Sequence, residues 1–333
     1  METPLLKGEL TPTLPQAQQL ALSCFRAPTA GACGAIYIVT ARMLYQSLSL
    51  PRFYVMLANQ SAASLKRWLP GARTSVVISR GDSSSNETLP AEVTSAFDQV
   101  IFWSRPIGRK IRVSWHEKAL MLAASQHVYS KAVFFDADTL VRHADVAYLF
   151  AWLALDRFSF MAVPEVPTSR SRRALEGHPI FNTGMLALKT QDPIVEVLMR
   201  RWLHFTTRAC AALGSHDGLK TISEDALKPF NITDEDKRIA LFRNDQFGLA
   251  LQLTLTYAAT GVQDLVRIAL PPRFNFRGYG HGSVADIVVD HDSSRKEQDL
   301  RLHIRREAGV HSLRTKGSAR TVWRKTHAKR RVA

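Results

Sequence analysis

The run from Val133 to Val141, Val-Phe-Phe-Asp-Ala-Asp-Thr-Leu-Val, sets the narrowest limits on what this chain can become. Its apolar residues ask for burial in a strand. Ionised carboxylates at Asp136 and Asp138 cannot lie unpaired beside such a strand without a large desolvation cost, so something positive has to meet them. An apolar strand that ends in Asp-x-Asp presents two hard oxygen ligands at the carboxyl edge of an open α/β sheet. Such folds bind ligands at that edge, and Mg²⁺ or Mn²⁺ can bridge there to a phosphate. The plainer alternatives are that the pair turns the chain or caps the next helix.

Composition places the run in an ordinary globular protein. With 333 residues, 46% hydrophobic and 22% charged, the chain can bury one large core or two smaller ones and is not a disordered protein. The uncharged windows from Ala27 to Ala41 and from Gln246 to Gln263 are diluted by Gly, Thr and Gln and fall short of a membrane span. Met1 to Gln19 is a polar, proline-containing lead without the pattern of a secretory signal. Cys24, Cys33 and Cys210 are odd in number and lack a metal-ligand spacing, so small, buried, reduced thiols and a cytoplasmic location are expected. Sequons at Asn59, Asn86 and Asn231 leave a Golgi or other secretory-pathway lumen open.

Short apolar runs alternate with helical stretches, as a βα sheet requires. Strands are expected at Leu20 to Phe25, Arg52 to Leu57, Ser75 to Ser79, Phe97 to Trp103, Phe158 to Val163 and Gly184 to Leu188, besides the Asp-x-Asp strand. Helices are expected from Gly34 to about Leu48, from Ser64 to Leu69, from Ser114 to His127, and after Asp192. The last has the clearest signals, with Asp192 as cap, Pro193 at its first position, and Ile194, Val197, Leu198 and Trp202 on one face. One domain from residue 20 to 292 is expected between the lead, 1–19, and a basic extension, 293–333.

Two further segments stand with the aspartates in a fixed order: Phe181-Asn182-Thr183-Gly184 before a strand, and Asp245-Gln246 opening a helix. With Lys131 to Val141 they resemble the retaining glycosyltransferases of family 8, the group of the glycogenins and galactinol synthases. The resemblance runs from about residue 20 to 292. It implies a GT-A type, Rossmann-like nucleotide-diphospho-sugar transferase fold of the α/β class, with a mixed, mainly parallel sheet. It also implies transfer of a hexose from a UDP-sugar, with Mn²⁺ or Mg²⁺ as cofactor, to a sugar, polyol or protein acceptor.

By that resemblance, Asp136 and Asp138 hold the metal, Asp138 being the stronger ligand and Asp136 shared with the ribose. A third ligand is a His after a late strand, for which His291 is the candidate and His303 its rival. Asn182, Gly184 and the pair Asp245-Gln246 fall at the donor sugar, with Asp245 as the back-face nucleophile or stabilising charge. Lys118 matches a basic residue that reaches the diphosphate. Gly31 replaces the Tyr expected to stack on uracil, so the stacking falls to Phe25 or another aromatic, or the base preference is relaxed.

Other readings compete with this one. Haloacid-dehalogenase-like phosphatases also end an apolar strand in Asp-x-Asp, although Thr139 and Leu140 do not follow their pattern, and Glu224-Asp225 would have to supply their acidic pair. A non-catalytic role would rest on the net charge of +15, because Arg295 to Ala333 carry 13 Lys/Arg against 3 Asp/Glu. That tail suits nucleic acid, an anionic membrane or an acidic partner, or is simply a solvated extension. Ser169 to Arg173 suit an acidic acceptor, and the resemblance to the glycogenins makes Tyr279 a candidate for self-glycosylation.

Overall fold

Strands that read as unbroken apolar runs need cover on both faces, and here helices supply it on each side. The computed structural model describes residues 12–28, 32–40, 53–80, 89, 91–104, 114–125, 127–155, 158–164, 181–212, 248–253, 268–270, 272–275 and 286–291, all within the unit Met1–Ser293. The order of elements is α1 (Leu14–Arg26), β1 (Cys33–Val39), α2 (Phe53–Trp68), β2 (Thr74–Ser79), β3 (Gln99–Trp103), α3 (Ser114–Ser125), β4 (Lys131–Asp136) and β5 (Leu140–Val141), followed by α4 (Ala147–Ala154), β6 (Phe160–Pro164), β7 (Phe181–Lys189), α5 (Pro193–Ala212), β8 (Ile268–Ala269) and β9 (Val289–Asp290).

Seven strands form a sheet in the order β3-β2-β1-β4-β7-β6-β8, and β5 pairs with β9 in a separate ribbon. All neighbours in the sheet run parallel except β7, which is antiparallel to both β4 and β6. The fold is α/β with a mixed, mainly parallel sheet. Strand pleating divides the core: Ala35, Tyr37, Val39, Val133 and Phe135 pack with α1, α2 and α4, while Ile36, Ile38, Ala132 and Phe134 pack with α3 and α5. Within the first layer Tyr37 stacks on Phe135 at 5.6 Å between ring centroids, and burial pushes the Tyr37 hydroxyl far above its ordinary pKa.

Three amino-terminal expectations are corrected. Leu20 to Phe25 is the end of α1, whose buried residues Ala17, Ala21, Cys24 and Phe25 follow helical spacing, and α1 begins inside the stretch assigned to the polar lead. The chain from Cys33 to Val39 is β1, where Gly34 has no room for a Cβ beneath the Tyr129 ring. Phe53 to Leu57 opens helix α2, which buries Val55, Ala58, Ala62 and Leu65 against the sheet. The expected β2, β3, α3, β6, β7 and α5 stand where the sequence placed them, to within a few residues. Asp192 caps α5 by accepting from the Ile194 N–H at 2.9 Å.

The thiol expectation is also corrected. Cys24 at the end of α1 and Cys33 at the start of β1 form a disulfide, with Cα atoms 5.2 Å apart. The helix-to-strand turn brings together two cysteines that have no recognisable spacing in sequence, and the case for a reducing compartment loses its support. Among the described residues no helix is long and apolar enough to cross a membrane.

Candidate metal and donor site

The sheet changes direction of growth at β1 and β4, since β1 is followed outward by β2 and β4 is flanked on its other side by β7. The carboxyl edge at such a point is an open crevice suited to a ligand. Asp136 is the last residue of β4, in register with Ile38 of β1. The turn that follows is tightly held: the Thr139 N–H and Oγ–H both donate to the Asp136 carbonyl, at 3.2 and 2.8 Å. Thr139 Oγ also lies 2.9 Å from Ser61 Oγ of α2. Thr139 thus fixes the loop that carries Asp138.

The third component arrives by a short ribbon. Residues Leu140 and Val141 of β5 pair antiparallel with Asp290 and Val289 of β9, and the Arg142 N–H donates to the Val288 carbonyl at 2.8 Å. Arg142 also meets Asp290 at 3.0 Å. His291, the next residue, lies beside the aspartates with Nε2 3.3 Å from Asp138 Oδ1 and 3.5 Å from Asp136 Oδ2. One ligand atom from each of the three residues falls within 4.8 Å of the others. His291 is 6% exposed, and the carboxylates of Asp136 and Asp138 are 18% and 15% exposed, so the group is recessed but open on one side.

Around this cluster the structure places several of the predicted residues. Lys118 of α3 forms an ion pair with Asp136 Oδ1, and its ammonium also donates to the Thr183 carbonyl at 2.8 Å. Thr183 and Gly184 sit where β7 leaves its ladder with β6, between the pairs Ala162–Leu186 and Val163–Asn182. That bulge turns the strand's backbone toward Lys118. Asn182 Oδ1 accepts from the Gly184 N–H at 2.7 Å. Gly184 lies directly against the His291 ring, with no room for a Cβ, and the Cβ position is 2.8 Å from Asn182 Oδ1. Its missing side chain is what lets His291 approach β7.

Phe25 is a correction. Its ring is 1% exposed on α1, edge-on to Phe150 at 4.8 Å, and a ring consumed by the core cannot stack on a nucleobase. Asp245, Gln246, His303, Tyr279, Glu224, Asp225 and the basic tail lie outside the described residues, although helical backbone is described at 248–253. Asn59 is engaged within the fold, accepting from the Ala96 N–H at 2.8 Å. Sequence reasoning missed Asn275, whose Oδ1 is 2.9 Å from His291 Nδ1. Sixteen residues separate the two, and no local pattern joins them.

Chemically, two carboxylates and an imidazole form a donor set for a divalent cation. His291 turns Nε2 to the carboxylates and Nδ1 to the Asn275 amide. One nitrogen and two carboxylate oxygens thus converge on a common point within ligand reach of one another. The residues present therefore fit a metal.

The sequence matches no protein-family model and no curated protein. Among solved structures it is similar to the galactosyltransferase LgtC in complex with donor and acceptor sugar analogs, at 13% identity and a TM-score of 0.41 over 88% of this chain and 99% of that one. An active-site mutant of LgtC gives 14% and 0.42 over 78% and 87% of the two chains. Mouse xyloside xylosyltransferase 1, in its apo form, gives 11% and 0.40 over 79% and 98%. Likeness of this degree says nothing about activity.

Proposed function

We propose that this chain is a metal-dependent glycosyltransferase of the GT-A type, moving a hexose from a UDP-sugar to an acceptor with retention of anomeric configuration. The observation that carries the reading is the convergence of Asp136, Asp138 and His291 at the carboxyl edge of β4, all three presenting ligand atoms within 4.8 Å of one another. The order in the chain of Asp-x-Asp-Thr, Asn182-Thr-Gly184 and Asp245-Gln246 supports it, because family 8 enzymes carry the same three elements in the same order.

In this reading Asp136, Asp138 and His291 hold Mn²⁺ or Mg²⁺, which when bound neutralises charge on the diphosphate and on the departing UDP. No general acid is then required near the leaving oxygen. Lys118 places a second positive charge beside the same phosphates, and its tie to the Thr183 carbonyl holds the buried ammonium beside Asp136. Asn182 and Gly184 line the donor sugar, and the Asn182–Gly184 hydrogen bond shapes the bulge they share. Asp245 and Gln246 serve the sugar's back face, Asp245 as nucleophile or as a stabilising charge for the oxocarbenium-like state.

The test is UDP release from a panel of UDP-sugars, with Mn²⁺ or with EDTA, comparing the intact chain with Asp138→Ala. Slow hydrolysis of one donor that needs both metal and Asp138 is the expected result. Release that survives EDTA or Asp138→Ala overturns the reading, as does the absence of release from every donor together with no UDP-induced rise in Tm.

A further inference from the structure

We propose that Asn275 is a positioning residue that fixes the protonation pattern of His291, holding the proton on Nδ1 and so presenting the Nε2 lone pair to the cation site; this rests on the reading of Asp136, Asp138 and His291 as a metal centre. Asn275 Oδ1 lies 2.9 Å from Nδ1, on the side of the ring away from the carboxylates. A neutral imidazole has one donor and one acceptor nitrogen, so whichever group faces Nδ1 decides what Nε2 offers. An amide oxygen accepts only, and it commits Nδ1 to carrying the hydrogen. Were the amide nitrogen there instead, Nδ1 would accept, Nε2 would be protonated, and its N–H would point at Asp138 in place of a lone pair.

The arrangement is built to hold that orientation. Asn275 is 4% exposed and ends the single-turn helix Pro272–Asn275. Arg273 of that turn is pinned twice: its carbonyl accepts from the Val288 N–H at 2.9 Å, and its guanidinium meets Asp145 at 2.9 Å. Phe274 beside it is 0% exposed in the core. The turn is therefore tied directly to the segment that leads through β9 to His291. Gly184, against the Nδ1 and Cε1 atoms of the ring, closes space in which the imidazole could swing. Asn275 Nδ2 is buried with no hydrogen-bond partner among the described residues. An amide kept in the core for the use of its oxygen alone is consistent with a task for that oxygen, since a buried unsatisfied donor is unfavourable for folding. Partners that orient a metal-bound imidazole in this way typically change metal affinity by about 10- to 100-fold when removed.

The experiment uses the full chain labelled with ¹⁵N-histidine, with the His291 resonances assigned by their loss in His291→Gln. Long-range ¹H–¹⁵N spectra read which ring nitrogen carries hydrogen, and calorimetry with Mn²⁺ alone reads affinity. In the wild type Nδ1 should be protonated, and in Asn275→Ala the ring should become a mixture of tautomers, with Mn²⁺ affinity falling about 10- to 100-fold. Asn275→Asp, which keeps an acceptor facing Nδ1, should retain both the Nδ1–H signature and affinity within a few-fold. Wild-type signature and affinity in Asn275→Ala would overturn the proposal. So would a tenfold loss in Asn275→Asp, which remains decisive if the alanine variant does not fold. If the wild type binds no Mn²⁺, the metal reading fails by itself, and the ring spectra of wild type and variants still decide the role of Asn275.

Discussion

Gly184→Ala should separate the metal site from the fold. The added methyl would lie against the His291 ring and 2.8 Å from Asn182 Oδ1. Ordinary contact needs about 3.5–4.0 Å, so the ring would have to retreat by roughly 1 Å. His291 cannot withdraw freely, because its Nδ1 is held at 2.9 Å by Asn275 and its backbone by the β5–β9 ribbon. Asn182 cannot absorb the strain without lengthening its 2.7 Å bond to the Gly184 N–H. Overpacking of this kind typically costs about 1–3 kcal/mol. A metal ligand works within a few tenths of an ångström of about 2.0–2.2 Å, so most of that cost should fall on cation binding, a loss of roughly 5- to 150-fold. The assay is Mn²⁺ titration of wild type and Gly184→Ala, alongside urea unfolding of both. A variant that loses stability yet binds Mn²⁺ as tightly as wild type would refute the placement of His291 in the cation site.

Two further outcomes test the frame around the site. The Cys24–Cys33 bridge closes a loop with a sequence separation of 9, for which the chain-entropy relation gives about 2.5 kcal/mol; reduction should lower the urea midpoint accordingly, and titration of unfolded, unreduced protein should find one thiol, whereas three thiols would exclude the bridge. At Asp98, partial burial pushes the carboxyl up, but hydrogen bonds from Lys66 and Thr74 outweigh it and hold the pKa below the usual carboxylate value. A depressed folded pKa contributes stability above the unfolded value, and that contribution is lost as pH falls through the folded one. Asp98→Asn should therefore be less stable than wild type at pH 7, with the gap closing below about pH 4, and a gap of constant size at pH 7 and pH 3 would show that the carboxylate's charge is not what matters.

Much of this architecture was readable because a strand buried on both faces spells itself out. Thr74 to Ser79, Lys131 to Asp136 and Phe181 to Lys189 are runs that few alternatives accommodate, and Asp192-Pro193 announces α5 by its capping chemistry. The amino-terminal third misled for a physical reason. Leu20 to Phe25 is apolar over too short a stretch to show its period, and the helix is visible only when Ala17 and Ala21 are counted with Cys24 and Phe25. Gly34 and Ala35 at the start of β1 read as the opening of a helix until the Tyr129 ring above Gly34 explains the small residue.

The sequence by itself determined that two carboxylates end a buried strand and that leaving both unpaired there is costly, so that a positive partner was the expectation beside the plainer ones of a turn or a helix cap. It also determined the order of the remaining motifs. Which cations and ligands answer was decided by tertiary structure: α3 delivers Lys118 to Asp136, a ribbon of two residues on each side sets His291 between the aspartates and Asn275, and Gly184 of β7 leaves open the space it fills. None of these neighbours is joined by a local pattern. Contacts between distant segments are fixed by packing geometry rather than by residue order, and the site exists only where the sheet, its helices and the ribbon meet.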